Sequence, residues 1–174
     1  MVPDPSASWQ IGCSEEGDDA TYLSGYYNTA GTTWFWDWAT PVPGGADRSN
    51  INLTLLVGKT ITGTVSLPAG QKAPAGGLSI EVILDTDIGI DGAYHWTTVT
   101  LAEGEASAPY TFTVPDDPET FWTVRYSGLS EDEAGSLYLP EGYYNTSGTQ
   151  WRQEAATLLP GADRSNVNLT LLTG

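Results

Sequence analysis

The sequence predicts an all-β protein in which a β-sandwich is preceded by a partial copy of itself. Thr, Val, Tyr, Trp, Gly and Pro are plentiful, which favours strands and turns, while Lys and Arg together number only 6 of 174 residues. Several segments alternate apolar and polar residues, and no segment has a convincing helical period. A hydrophobic content of 40% is sufficient for a packed core. A twelve-residue segment occurs twice with one difference, and it explains the organisation of the chain.

The duplicated segment is the end of a repeat. GADRSNINLTLL begins at Gly45 and GADRSNVNLTLL begins at Gly161. Upstream, GYYNTAGTTW matches GYYNTSGTQW, and one residue is lost between the two matches, at PVPGGADRSN against LLPGADRSN. Further upstream, SWQIGCSEEGDDATYLSGYY resembles a shortened FWTVRYSGLSEDEAGSLYLPEGYY. Residues 9–57 therefore parallel residues 122–173, as in a tandem array cut in mid-repeat.

This repeat divides the chain into two domains. Residues 1–57 are predicted to be the late-half strands of one unit, with three or four strands, and residues 58–174 a complete sandwich with seven or eight. The strand segments of the complete unit are KTITGTVSL, SIEVIL, YHWTTVTL, YTFTV, WTVRYS and NVNLTLL, separated by turn residues. The predicted inward set is Ile61, Val65, Leu67, Val82, Leu84, Phe112, Val114, Val124, Val167, Leu169 and Leu171.

The junction between the two copies is predicted to be one continuous strand. Alternate residues from Ile51 through Leu55 and Val57 to Ile61 keep the same phase, so one copy runs directly into the next. The partial copy has no opening strands of its own, so its edges and inner face need cover. The cover could come from the complete unit, from another molecule by strand exchange, or from upstream sequence.

The acidic composition limits the partners. With 22 acidic and 6 basic residues the net charge is −16, which argues against nucleic acid and against an anionic membrane surface. It suits a soluble secreted or salt-exposed protein, and divalent-cation binding is the alternative. No run of about 18 apolar residues exists, so membrane insertion is not expected. The opening MVPDPSASW has no signal-peptide character, and Cys13 is alone, so no intrachain disulfide is expected.

The motifs ITGTVSLPAG, YTFTVP, FWTVRYSG, GYYN and NVNLTLLTG resemble those of a known family. They are similar to the carboxypeptidase regulatory-like or transthyretin-like (prealbumin-like) domain, a β-sandwich repeat of secreted bacterial proteins. The resemblance covers residues 58–174 fully and residues 9–57 in part. It implies a Greek-key sandwich of about seven strands, usually without catalysis, in an extracellular or cell-surface bacterial protein. Its implied partners are neighbouring repeat units, and the half repeat adds a second copy of the chain as a possible partner. The chain departs from the pattern in ILDTDIGIDGAYHW and WFWDW, where we expect any individual function.

No enzymatic activity is expected from the sequence. An enzyme needs a positioned acid, base or nucleophile. The single imidazole, His95, is interpreted as a surface residue of a strand, and there is no G-x-S-x-G motif. No pair among the 22 acidic residues stands out for glycosidase chemistry. No residue is therefore assigned a catalytic role.

One acidic loop is a candidate metal site. DTDIGIDG offers Asp85, Asp87 and Asp91, and calcium prefers several hard oxygens in a flexible loop. The spacing is not that of an EF-hand, and the alternative is a hairpin tip whose Asp and Gly residues supply the turn. Calcium is the one cofactor that the sequence suggests, and otherwise none is expected.

The second candidate site is the Trp-rich stretch TWFWDWAT. In a strand, Trp34, Trp36 and Trp38 would lie on one face about 7 Å apart. The corresponding residues of the second copy are Trp151, Gln153 and Ala155. The first Trp is thus common to both copies, whereas the other two are additional. A row of flat rings suits sugar stacking, a protein interface, or cover for the apolar edge of an incomplete unit.

These observations lead to three functional hypotheses. The first is a non-catalytic structural or adhesion module of a tandem-repeat surface or secreted protein. The second is a carbohydrate-binding module that uses Trp36 and Trp38 with nearby Tyr26 and Tyr27, which makes a glycan the ligand. The third is a subunit that assembles with itself through strand exchange of the half repeat.

Overall fold

The fold is almost entirely β. The computed structural model describes residues 6–14, 22–45, 47–86, 94–129 and 139–173. Strands account for 47% of the structure and helix for 4%. The predicted all-β class is confirmed, with several antiparallel sheets as in a β-sandwich, and the Greek-key connection of the strands stays a prediction.

The strands vary from two to eleven residues. In chain order they are β1 (Ser8–Trp9), β2 (Gly12–Cys13), β3 (Tyr22–Leu23), β4 (Gly25–Asn28), β5 (Gly31–Thr33), β6 (Val42–Pro43), β7 (Leu56–Ser66), β8 (Leu78–Thr86), β9 (Tyr94–Leu101), β10 (Ser107–Pro115), β11 (Phe121–Tyr126), β12 (Gly142–Tyr143), β13 (Leu159–Pro160) and β14 (Leu169–Thr170). Two 3-10 helices of one turn, Trp36–Trp38 and Gln153–Ala155, complete the described elements. Among the residues described, no helix has the length and apolar character needed to cross a membrane.

The chain divides into two compact units. Unit 1 comprises Met1–Lys59 with Thr113–Asp116, and unit 2 comprises Thr60–Phe112 with Asp117–Gly174. The division falls within β7, two residues after the domain boundary expected from the repeat. The short stretch of β10 that groups with unit 1 could not be foreseen from the repeat.

Unit 2 contains the long strands. One sheet has the order β12-β11-β8-β9, with β13 also paired to β11, and the other has the order β10-β7-β14. Alternation along each strand sends every second side chain into the core. Every member of the predicted inward set is buried, with at most 5% of any side chain exposed, so this prediction is confirmed.

The closing strand differs from its prediction. The segment NVNLTLL is predicted to be a strand throughout, but β14 covers only Leu169–Thr170, and it pairs in parallel with β7. Asn166 has a φ of 61°, a left-handed conformation that interrupts an extended strand. The segment nevertheless follows β7 for most of its length, because Arg164 forms a bridge with Ile61 before the interruption.

Unit 1 consists of short strands. Its sheets are the pair β1-β6, the three-stranded sheet β2-β4-β5, and β3 paired with the beginning of β7. The prediction of one continuous strand from Ile51 to Ile61 is wrong in its first half, because no strand is present at residues 47–55 and β7 begins at Leu56. Val57, which was expected to keep the inward phase, is 62% exposed.

Candidate functional site

The Trp-rich stretch follows a turn whose backbone is built twice in the chain. In unit 1 the Asn28 side-chain amide donates to the Trp38 carbonyl at 2.5 Å, and its oxygen accepts from the Ala30 N–H at 2.8 Å. In unit 2 Asn145 makes the same two bonds, to the Ala155 carbonyl at 2.5 Å and from the Ser147 N–H at 2.8 Å. One asparagine side chain thus fixes both ends of each turn, which explains why GYYNT is present in both copies.

A threonine hydroxyl reinforces each turn. The Thr29 N–H donates to the Thr40 hydroxyl at 3.1 Å, and the Thr146 N–H donates to the Thr157 hydroxyl at 3.1 Å. The 3-10 helices that follow have flanking dihedral angles within about 5° of each other, with φ −110° at Phe35 and −111° at Arg152. The two turns therefore share one backbone conformation in spite of their different side chains.

The strand pairing around the turn is also duplicated. β1 pairs with β6 through Trp9 and Val42, as β11 pairs with β13 through Trp122 and Leu159. β2 pairs with β4 in the register that β11 makes with β12, so that Cys13 corresponds to Tyr126. The faint similarity between SWQIGC and FWTVRY hence reflects the same pairing.

The one additional residue in the first copy of the repeat is a glycine. The Gly44 N–H donates to the Ala7 carbonyl just as the Gly161 N–H donates to the Thr120 carbonyl, both within 3.0 Å. The added residue is therefore the next one, Gly45, whose φ of 84° is accessible to glycine at little cost.

The aromatic turn (Trp34–Trp38) is not the flat row predicted from the sequence. Trp36 and Trp38 lie in a 3-10 helix, where three residues make one turn, so their side chains point about 120° apart. The rings of Trp34 and Trp38 meet edge to face at 5.6 Å, and the buried Phe35 contacts both. Trp36 is 49% exposed and Trp38 is 46% exposed. The prediction of a strand here is wrong because the asparagine ten residues upstream imposes the helical turn.

The two tyrosines assigned to the same site are adjacent residues of β4. Neighbouring residues of a strand project to opposite faces of the sheet, so Tyr26 and Tyr27 do not extend one common surface. Both are half-buried. The exposed part of the candidate site is thus formed by Trp36 and Trp38.

The corresponding turn of unit 2 forms with other side chains at the positions of Trp36 and Trp38. At the positions of Trp36 and Trp38 it carries Gln153 and Ala155 on the same backbone. The remaining aromatic residue, Trp151, is exposed and lies under the Arg152 guanidinium at 4.3 Å. Because the turn forms without two tryptophans, Trp36 and Trp38 in unit 1 are not required by the backbone.

The candidate calcium site lies mostly outside the described residues. Asp87 and Asp91 fall in the part of the chain that is not described, and Asp85 is in β8. The Asp85 carboxylate accepts from Arg125 Nε at 2.7 Å, and a second Arg125 nitrogen donates to Glu141 at 2.6 Å. A cation already neutralises Asp85, and within the described residues no group of three or more His, Cys, Asp or Glu side chains could hold a metal ion.

The guanidinium of Arg125 is an electrostatic centre that the sequence analysis missed. Partial burial works to lower its pKa, but the hydrogen bond and charge of Asp85 and the charge of Glu141 overcome this, and its pKa is raised. Arg125 is in the middle of WTVRYS. The alternation of apolar and polar residues there indicates that its side chain faces away from the core, but it does not identify the carboxylates that it contacts. His95, the other candidate for chemistry, is an exposed residue of β9 opposite Leu84.

No protein-family model, no curated protein and no solved structure matches the chain.

Proposed function

We propose that this chain is a non-catalytic structural module, a spacer or adhesion segment built from copies of one unit in a secreted or surface protein. The observation that carries the proposal is the parallel pairing of the first and last strands of unit 2. Val65 and Ser66 of β7 pair in parallel with Leu169 and Thr170 of β14, and Ile61 pairs in parallel with Arg164.

Parallel terminal strands suit a module in a string. The chain enters at the beginning of β7 and leaves at the end of β14, so entry and exit lie at opposite ends of the paired strands, about 20 Å apart. Tension on the two ends then acts along β7 and β14 in opposite directions, so that all the hydrogen bonds between these strands are loaded at the same time, in shear. Three backbone hydrogen bonds between 2.7 and 2.9 Å long would carry that load. They run from the Thr62 N–H to the Arg164 carbonyl, from the Arg164 N–H to the Thr60 carbonyl, and from the Leu171 N–H to the Ser66 carbonyl.

Pulling single molecules of the full chain by its two ends tests this function. We expect a distinct unfolding step with a length gain of about 40 nm for the segment from Thr60 to Gly174. Asn168 adds two bonds from Thr64 to the sheared strands, so Asn168→Ala should lower the unfolding force. Extension without a resolved force step, or a force unchanged in that variant, would contradict a load-bearing role.

A specific observation also favours a second function, binding of a glycan. Trp36 and Trp38 are half exposed, although the same backbone in unit 2 carries Gln153 and Ala155 at these positions. Exposed indole rings are suited to stacking on sugar faces. Two large aromatic side chains that the turn does not need are consistent with a ligand.

The second copy supplies the matched variant for this test. The double substitution Trp36→Gln with Trp38→Ala installs the residues of unit 2. It also removes the ring contacts of Trp38 to Trp34 and Phe35, so a melting curve of the variant is recorded first to establish that it is folded at the assay temperature. On a glycan array, binding that the parent shows and the double variant loses would support the site. Equal binding by both proteins, or binding by neither, would exclude it.

A further inference from the structure

The closing segment of unit 1 has almost the same sequence as the closing segment of unit 2 but different surroundings. In unit 2, Val167, Leu169 and Leu171 are all buried, with no more than 2% exposed. Their counterparts in unit 1 are Ile51 and Leu53, which are half-buried, and Leu55, which is 49% exposed. The same apolar pattern is therefore covered in one copy and partly uncovered in the other.

The cover in unit 2 is strand β7. The Arg164 N–H donates to the Thr60 carbonyl at 2.7 Å, and the Val167 N–H donates to the Thr62 carbonyl at 3.1 Å. Side chains extend this pairing, because Asn168 accepts from the Thr64 N–H at 3.1 Å and Asp163 accepts from the Thr60 N–H at 2.9 Å.

The residues that make these bonds are all present in unit 1. The counterparts of Asp163, Arg164 and Asn168 are Asp47, Arg48 and Asn52. The backbone conformation also agrees, because φ is 63° at Asn50 and 61° at the corresponding Asn166. Among the described residues, however, the backbone of residues 47–53 makes no hydrogen bond to another backbone group. Backbone N–H and C=O groups without a backbone partner are available to pair with another strand.

A second edge of unit 1 is uncovered in the same way. In unit 2 the strand β8 lies along β11, and Trp122, Val124 and Tyr126 are fully buried. The corresponding Trp9 of β1 is 55% exposed, and Cys13 is half exposed. β8 and β7 both belong to the opening half of the repeat, so the two uncovered edges indicate one and the same missing partner.

We propose that residues 47–55 are an acceptor for a strand of the β7 type, an extended segment with the character of Thr-Ile-Thr-Gly-Thr-Val-Ser, donated by another repeat unit or chain. The strand docks in parallel, with its Ile and Val side chains on Ile51 and Leu53 and its threonine backbone on Arg48 and Asn52. The chain's own β7 is not the donor, because it is already held between β10 and β14.

The glycine of the donor strand gives the acceptor its selectivity. In unit 2 a Cβ on Gly63 would collide with the Val167 carbonyl, which also accepts from the Tyr110 hydroxyl. The equivalent carbonyl in the acceptor is that of Ile51. A strand with any side chain at the glycine position is thus excluded from this register.

Peptide binding to the full chain tests the proposal. A labelled peptide with the sequence of Lys59–Leu67 should bind, and its Gly63→Ala version should bind at least about tenfold more weakly. In the protein, Asn52→Ala at an exposed position should weaken binding by about tenfold through the loss of two hydrogen bonds. The control is Asn168→Ala, the same change in unit 2, where β7 already occupies the equivalent position. This variant should leave the affinity for the peptide unchanged.

Amide hydrogen exchange locates the bound peptide. The Arg48 and Ile51 amides should become protected, since their counterparts donate to β7 in unit 2. No binding at millimolar peptide, equal affinity for the glycine and alanine peptides, or protection elsewhere would overturn the proposal. A dimer of the chain that the peptide dissociates would support it, whereas a dimer that persists and blocks peptide binding would overturn it.

This acceptor would serve the string of units proposed above. Peptide affinity and unfolding force are separate measurements, so the failure of one is distinguishable from the failure of the other.

Discussion

At the scale of single residues, Asn145 closes the unit 2 copy of the turn that occurs in both units. Its side chain donates to Ala155 and accepts from Ser147, so Asn145→Ala should lower the free energy of unfolding by about 1–3 kcal/mol. The neighbouring Thr146 is exposed, and Thr146→Ala is the control, expected within about 0.5 kcal/mol of the parent. Urea titration followed by Trp fluorescence measures both, and equal stabilities would contradict the role of Asn145.

Arg125 is the residue that balances charge on its sheet. Its side chain is partly exposed, as are those of Asp85 and Glu141, so water screens their attraction. We expect Arg125→Gln to lower the free energy of unfolding by about 1 kcal/mol at low salt, and by less at about 1 M NaCl. A loss that is independent of salt would show that Arg125 acts through packing and not through charge.

At the scale of elements, the segment that follows the last strand, β14, is bonded to the tyrosine of β11. The Leu172 N–H donates to the Tyr126 hydroxyl at 2.7 Å, and burial raises the pKa of Tyr126 to about 12. Burial also raises the pKa of Tyr143 on β12. A raised pKa means that the folded state holds the proton more tightly than the unfolded state, whose tyrosine pKa is about 10.

Alkaline unfolding should follow from these tyrosines. Their contribution is complete below pH 10 and is lost as pH rises from about 10 to about 12, so the free energy of unfolding should fall across that window. Urea titrations at several pH values, with phenolate absorbance recorded in parallel, measure it. Tyr126→Phe should flatten the pH dependence while lowering stability at neutral pH, because the Leu172 N–H loses its acceptor. Constant stability up to pH 11 would contradict the assignment.

The elements also show what a sequence of this kind can predict. The buried residues from Ile61 to Leu171 are predicted correctly, because the alternation of apolar and polar residues reflects which side chains face the core. This is true even near β14, although that strand is only two residues long. The aromatic turn was misassigned as a strand because Asn28, ten residues upstream, determines its conformation. Alternation alone also cannot tell that Ile51 and Leu53 lack the cover that Val167 and Leu169 have, since the pattern is the same in both copies.

At the scale of the whole molecule, charge acts against the folded state. The net charge of −16 over 174 residues means that compaction brings many carboxylates together, and only six basic residues can offset them. Local attraction, as at Arg125, depends on a few close pairs, whereas repulsion acts among all the acidic side chains. Added salt screens both, so the larger of the two determines the direction of the effect.

Repulsion should be the larger effect, so salt should stabilise this protein. We expect the melting temperature to rise by several degrees between about 20 mM and about 500 mM NaCl at pH 7, because repulsion extends across the distances that salt screens best. Potassium chloride should give the same curve as sodium chloride, which separates screening from ion-specific binding. In Arg125→Gln the rise should be steeper, since this variant loses an attraction that salt would otherwise weaken. A melting temperature that falls with salt would mean that close ion pairs outweigh the net charge.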